Sequence, residues 1–172
     1  MTTADFFVRS ATPADAAVVA RHRAEMFRDI QSLSDELCAA LEHASRAPTA
    51  HLLGAGEYLG WLASPVDDHD AIVAGAGIRI RPALPIVQPR GGHLEVTAND
   101  HGLIVNVYTE RAWRRRGLAA LLMTHVLQAA RALSLANIVL HASNDGRPLY
   151  ESLGFVATNE MRYAGPVPIE NS

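Results

Sequence analysis

Between Leu103 and Leu133 the chain changes periodicity across an arginine-dense turn, and this change restricts the fold more than any other feature. The apolar run Leu103-Ile104-Val105-Asn106-Val107 predicts a strand. Leu118, Leu121, Leu122, Val126, Ala129, Ala130 and Leu133 recur at helical spacing, with Thr124, Gln128 and Arg131 on the other side. Tyr108-Thr109-Glu110-Arg111-Ala112-Trp113-Arg114-Arg115-Arg116-Gly117 joins the two. A strand therefore feeds a helix whose N-terminus combines free backbone N–H groups, the positive end of the dipole and several guanidinium groups. Such a point suits a polyanion, most naturally a pyrophosphate. Gly117 lets that anion approach the backbone closely.

Arg114-Arg115-Arg116-Gly117-Leu118-Ala119 resembles the acyl-CoA pyrophosphate loop of the GNAT superfamily of N-acyltransferases, Arg/Gln-x-x-Gly-x-Gly/Ala. A second segment is similar to that superfamily in the same order. Ile138-Val139-Leu140-His141-Ala142-Ser143-Asn144 would be its second splayed strand and the Asn that follows. Gly146-Arg147-Pro148-Leu149-Tyr150-Glu151-Ser152-Leu153-Gly154-Phe155 would be its short Tyr-bearing helix and closing Gly-Phe. The two segments span Leu103 to Phe155; before them the likeness lies only in the pattern of elements.

The other elements follow from local signals. Phe6 to Arg9 reads as a strand. Thr12 is the expected N-cap of a helix with Pro13 at its first position and Asp15 at N3, running through Val18, Val19 and Met26 toward Ile30. Ser34 or Ser32 caps a second helix through Leu37 and Leu41. Glu57–Ala63 and Ala71–Ile80 read as strands, and Gly75 and Gly77 make no dinucleotide fingerprint because Ile80 fills its third position. The Pro/Gly-rich stretch from Arg81 to His101 either hides a strand at His93–Thr97 or forms a flap over a site. Gly154-Phe155-Val156 and Met161-Arg162-Tyr163 suggest a closing hairpin, and 164–172 a loose tail. The expected fold is α/β with a mixed sheet, in the order β-α-α-β-β-β-α-β-α-β-β, which resembles the GNAT fold with its two splayed central parallel strands. Here those strands would be Leu103–Thr109 and Ile138–Ala142.

A chain of 172 residues reads as one domain, 1–172. Its net charge of −3 argues against a nucleic-acid partner, since such domains are usually basic. A single cysteine, Cys38, excludes an intrachain disulfide, and its place among Leu33, Leu37 and Leu41 suits a packed helical thiol. No apolar run reaches the roughly 18 residues of a membrane span, and no secretory leader is visible, so a cytoplasmic protein without a membrane partner is expected. All 15 basic residues are arginine. The absence of lysine excludes a Walker phosphate loop, Schiff-base chemistry and self-acetylation on lysine side chains. The 8 histidines show no metal-ligand spacing, so no metal is expected.

The resemblance implies acetyl-CoA as co-substrate and acetyl transfer to a small amine, a peptide N-terminus or a protein lysine. It implies cofactor contacts at Arg114, Arg115, Arg116, Gly117, Leu118 and Ala119, backbone bonds from Val107 and Thr109 to the pantetheine amides, and a bond from Asn144 to the same arm. It implies Tyr150 as the general acid for the leaving thiolate; a phenol of pKa about 10 can donate that proton. Met26 and Phe27 at the end of the first helix, Asn106 and Tyr108 on the strand, and His141 at a strand end are candidates to line the acceptor pocket. The general base stays open among Glu25, Glu57, Glu95, His93, His101 and His141, because the position where some family members carry Glu is here near Leu103. A homodimer is possible by resemblance. Two competing functions are a non-catalytic acyl-CoA-binding module of the same fold and, against the charge, an RNA or DNA contact at the arginine loop.

Overall fold

The computed structural model describes residues 3–161, and packing divides the chain into two compact units, one up to His141 and one from Ala142 onward. The first unit holds β1 (Phe6–Ser10), α1 (Ala16–Gln31), α2 (Asp35–Gly54), β2 (Tyr58–Pro65), β3 (Ala74–Arg81), β4 (Ile86–Arg90), β5 (His93–Thr97), β6 (His101–Thr109), α3 (Leu118–Ala132) and β7 (Ile138–Leu140). The second holds α4 (Arg147–Ser152).

The entry to α1 is a turn later than Pro13 alone suggests, because Pro13–Asp15 forms a 3₁₀ turn first. The Asp15 carboxylate accepts from the Thr12 N–H at 2.8 Å and from both terminal nitrogens of Arg9, at 2.7 and 2.9 Å. These bonds, above all that from Arg9, push its carboxyl pKa down to about 2. Of the two serines able to cap α2, Ser34 does so, its Oγ accepting from the Leu37 N–H at 3.3 Å. Ser32 instead ends α1 in the left-handed region, at φ 53°.

Five strands form one sheet in the order β1-β2-β3-β6-β7. The first three pairings are antiparallel and β6–β7 is parallel. Tyr58 and Leu62 on one face of β2 pack with Val19 of α1, Leu52 and Leu53 of α2 and Val105 of β6. The stripe Leu118, Leu122, Met123, Val126 and Ala130 of α3 is buried at the predicted spacing. Gly77 explains one unusual choice in β3: a Cβ there would overlap the Tyr58 phenol, so the glycine makes room for that ring to lie across the sheet.

The Pro/Gly-rich stretch does hide a strand at His93–Thr97, and β4 pairs with it as a separate two-stranded sheet. Pro89 is tolerated in β4 because that strand has only one neighbour. The expected strand at 154–156 is absent. Gly154, at φ 91°, turns the chain after α4, Phe155 N–H bonds back to the Tyr150 carbonyl at 3.0 Å, and Val156 is exposed. Met161 also lies outside any strand, while Arg162, Tyr163 and the tail 164–172 fall beyond the described residues. Among the described residues no helix is long and apolar enough to cross a membrane.

Candidate active site

The site begins with an unequal pair of strands. β7 pairs with β6 only at Gly102↔Ile138, Leu103↔Val139 and Ile104↔Leu140, and it ends there, whereas β6 runs on to Thr109. Among the described residues, one edge of β6 from Val105 to Thr109 therefore has no strand neighbour. The other edge stays paired with β3, and the Glu110 N–H reaches the Val73 carbonyl at 2.9 Å. Alternate residues of an antiparallel ladder point their backbone groups to alternate sides, so Thr109 and Val107 present theirs to the open edge. Between Gly75 and Gly77 the register slips by one, and Ala76 faces both Asn106 and Val107. This bulge holds Asn106 in the left-handed region, at φ 57°. Bulges of this kind interrupt pairing and re-aim groups beside active sites.

β6 leads into the arginine loop. A 3₁₀ turn, Arg111–Trp113, is followed by Arg115 at φ 64° and Gly117 at φ 80°. Gly117 is the N-cap of α3, and no side chain caps that end. The N–H groups of Leu118, Ala119 and Ala120 precede the first intrahelical bond, from Leu121 N–H to the Gly117 carbonyl at 3.0 Å. The positive end of a 15-residue helix lies behind them.

Sequence reasoning missed the residue that holds this loop. Asp29, on α1, accepts from Arg111 Nη2 at 2.6 Å with one carboxylate oxygen and from Arg114 Nη2 with the other. Arg114 also donates Nε to the Thr109 carbonyl at 3.0 Å, and its guanidinium lies 5.6 Å from the Tyr108 ring centroid. The Arg114 side chain thus acts as a brace within the loop. Arg116 lies over the Trp113 ring at 4.7 Å and donates to the Ala112 carbonyl at 3.1 Å, while Arg115 is exposed. No burial signal marks Asp29, which lies exposed near the end of α1. Replacing Asp29 by Asn should remove the negative charge and one of the two acceptors, and so loosen the loop. Acetyl-CoA affinity measured by calorimetry should fall roughly three- to tenfold. A rise would mean that the arginine side chains, rather than the backbone, dominate phosphate binding.

His22 and Glu110 were also missed. His22 is 2% exposed, its Nε2 lies 3.5 Å from Glu110 Oε1, and neither ring nitrogen has a hydrogen-bond partner among the described residues. Burial, reinforced by Arg21, pushes its pKa down to about 4, so it is neutral at pH 7 and the contact is not an ion pair. Its ring packs 5.3 Å from that of Tyr108. Tyr108 is therefore embedded between His22 and Arg114, and burial raises its pKa.

Of the other acceptor candidates, Asn106 and Phe27 meet through Arg23. Arg23 Nη1 donates to Asn106 Oδ1 at 2.9 Å, and the guanidinium lies 4.9 Å from the Phe27 ring centroid. Asn106 Nδ2 in turn faces the buried Tyr58 hydroxyl at 3.4 Å. A small cleft beside Asn106 is lined by Tyr58, His22, Trp61 and Gly75 among others. Met26 is half-buried on α1 and His141 is exposed just after β7. In the second unit Asn144 is exposed in the turn before α4. Tyr150, half-buried on α4, meets Phe155 edge-on at 6.1 Å, and burial raises its pKa. Among the described residues no His/Cys/Asp/Glu group could hold a metal.

A half-open strand edge thus leads to a helix N-terminus without a side-chain cap. A family model described as the acetyltransferase (GNAT) domain matches residues 86–168. A GCN5-related N-acetyltransferase from Ralstonia eutropha JMP134 superposes with a TM-score of 0.77 at 28% identity, over 94% of this chain and 98% of that one. An acetyltransferase from Clostridium acetobutylicum, solved with acetyl-CoA, gives 0.74 at 23% identity over 93% and 96%. An aminoglycoside acetyltransferase from an uncultured soil metagenomic sample gives 0.67 at 18% over 95% and 99%. No curated protein matches the sequence. The fold and family define an acyltransferase with a mixed α/β sheet. Over residues 86–168 and in its fold the chain is similar to the GNAT superfamily of acetyltransferases.

Proposed function

We propose that the protein is an acetyl-CoA-dependent N-acetyltransferase. In this reading the whole chain acts as one catalytic domain and transfers acetyl to a primary amine of a small molecule or peptide by direct attack in a ternary complex. The observation that carries the proposal is the continuity of the bare β6 edge, from the Asn106 bulge to Thr109, with the uncapped N-terminus of α3. One feature suits the amide-bearing arm of coenzyme A and the other its pyrophosphate.

Acetyl-CoA supplies the activated acyl group. Val107 and Thr109 bond the pantetheine amides with backbone groups, and Asn144 bonds the same arm. The N–H groups of Gly117, Leu118 and Ala119, with Arg115 and Arg116, hold the pyrophosphate. The amine nitrogen bonds to the acyl carbon as the carbon–sulfur bond breaks. Tyr150 gives its phenolic proton to the departing sulfur, and the amine's proton leaves to water. The phenol carries its proton at neutral pH, as that role requires.

Acetyl-CoA should bind the purified protein with micromolar affinity by calorimetry while ADP binds far more weakly, and an amine panel should release free thiol. Tight binding with no turnover on any amine would favour the non-catalytic acyl-CoA-binding module. No binding at all would remove the transferase reading.

A further inference from the structure

Arg23 stands out among the arginines of α1. Arg21 pairs with Glu110 at 2.9 Å, Arg28 with Glu25 at 3.4 Å and with Asp35, and both Arg111 and Arg114 with Asp29. Arg23 has no carboxylate within ion-pair distance among the described residues. Its partners are the neutral Asn106 amide and the Phe27 ring. The one nearby group able to carry negative charge is the Tyr58 phenol, and burial pushes that pKa up to about 12, so it is neutral too. The guanidinium is half-buried, and burial lowers its own pKa. A cation partly stripped of water without a counter-charge is costly unless an anion is supplied.

The place of this charge matters. Arg23 is one hydrogen bond from Asn106, the bulge residue of β6, where the strand edge becomes free. Among the described residues only one of its N–H donors is taken, so the fork can still meet a planar oxyanion with two parallel bonds. Phe27 beneath it fixes the plane of the fork.

We infer that Arg23, oriented by Asn106 and Phe27, is the specificity residue of the acceptor site and that the acceptor is a small amine carrying a carboxylate. An α-amino acid is the simplest case. The inference rests on the N-acetyltransferase reading and narrows its substrate class. The carboxylate would supply the missing counter-charge while the amine lies toward the bulge.

The test pairs α-amino acids with their carboxamides, which keep the amine and remove the negative charge. Each is assayed with acetyl-CoA on the wild type, Arg23→Gln and Arg23→Lys, following thiol release and, by calorimetry, binding to the CoA-loaded protein. The wild type should prefer carboxylate over carboxamide by roughly 10- to 100-fold in kcat/KM. Arg23→Gln should bring that ratio close to one through a raised KM for the carboxylates, with acetyl-CoA affinity kept. Arg23→Lys should keep part of the preference. Equal use, or equal binding, of carboxylate and carboxamide by the wild type overturns the inference, as does a preference that survives in Arg23→Gln. Both results leave the transferase reading standing, which fails separately if acetyl-CoA itself does not bind. A melting scan on each variant separates lost recognition from lost folding.

Discussion

Gly117→Glu should lose acetyl-CoA binding by roughly 100-fold or more, while the protein stays folded. Three effects act together at this position. The glutamate would place negative charge at the point where the α3 N–H groups converge. A side chain would occupy the space a phosphate needs, and its Cβ would stand 3.1 Å from the Thr3 methyl group. The backbone at φ 80° costs an L-residue about 1–2 kcal/mol. The helix dipole offsets about 0.3–1 kcal/mol of that cost, because an acid at a helix N-terminus is favourable. A net loss near 1 kcal/mol should lower the melting temperature by about 2–4 °C in a chain of this size. Gly117→Ala carries the backbone penalty without the charge, so the gap between the two variants measures the electrostatic part. Calorimetry reads the affinities; Gly117→Glu binding as tightly as the wild type would place the cofactor elsewhere.

Tyr150→Phe should cut kcat by roughly 100-fold and leave KM for acetyl-CoA little changed. The ring keeps its edge-on packing against Phe155, so the substitution removes the hydroxyl and little else. An interaction made only as the thiolate leaves appears in kcat, whereas one made equally in the ground state appears in KM. Steady-state thiol release on a turned-over amine separates the two. Unaltered turnover would remove Tyr150 as the acid.

The parts of the fold written in the sequence are those governed by local rules. Two periodicities and the turn between them marked β6 and α3, and Leu118 to Ala132 became the helix expected to end at Leu133. Ser34 and Thr12 announced helix starts through ordinary cap chemistry. The β4–β5 hairpin was harder, because its prolines mimic a loop until a partner strand is known. The side chains around the candidate site were least legible. Asp29 meets Arg111 and Arg114 across more than eighty residues, and Arg23 meets Asn106 across a similar span. No local pattern encodes such pairs. The loop's backbone, by contrast, was legible through Gly117, because one residue type suits its conformation.

The bulge at Asn106 also works as a spacer. The extra residue makes β6 one step longer than the stretch of β3 it follows, so everything from Val107 onward is advanced by about 3.4 Å along the strand. Without it, the alternation of side chains would continue unbroken, and the groups of Val107 and Thr109 would turn toward β3 instead of the open edge. The distance from that edge to Gly117 would change by the same step. A ligand that must touch both places at once has a fixed length. In the acetyl-CoA reading proposed above, a single inserted residue, itself held in an unusual conformation, therefore sets the length of the strand against the length of the cofactor.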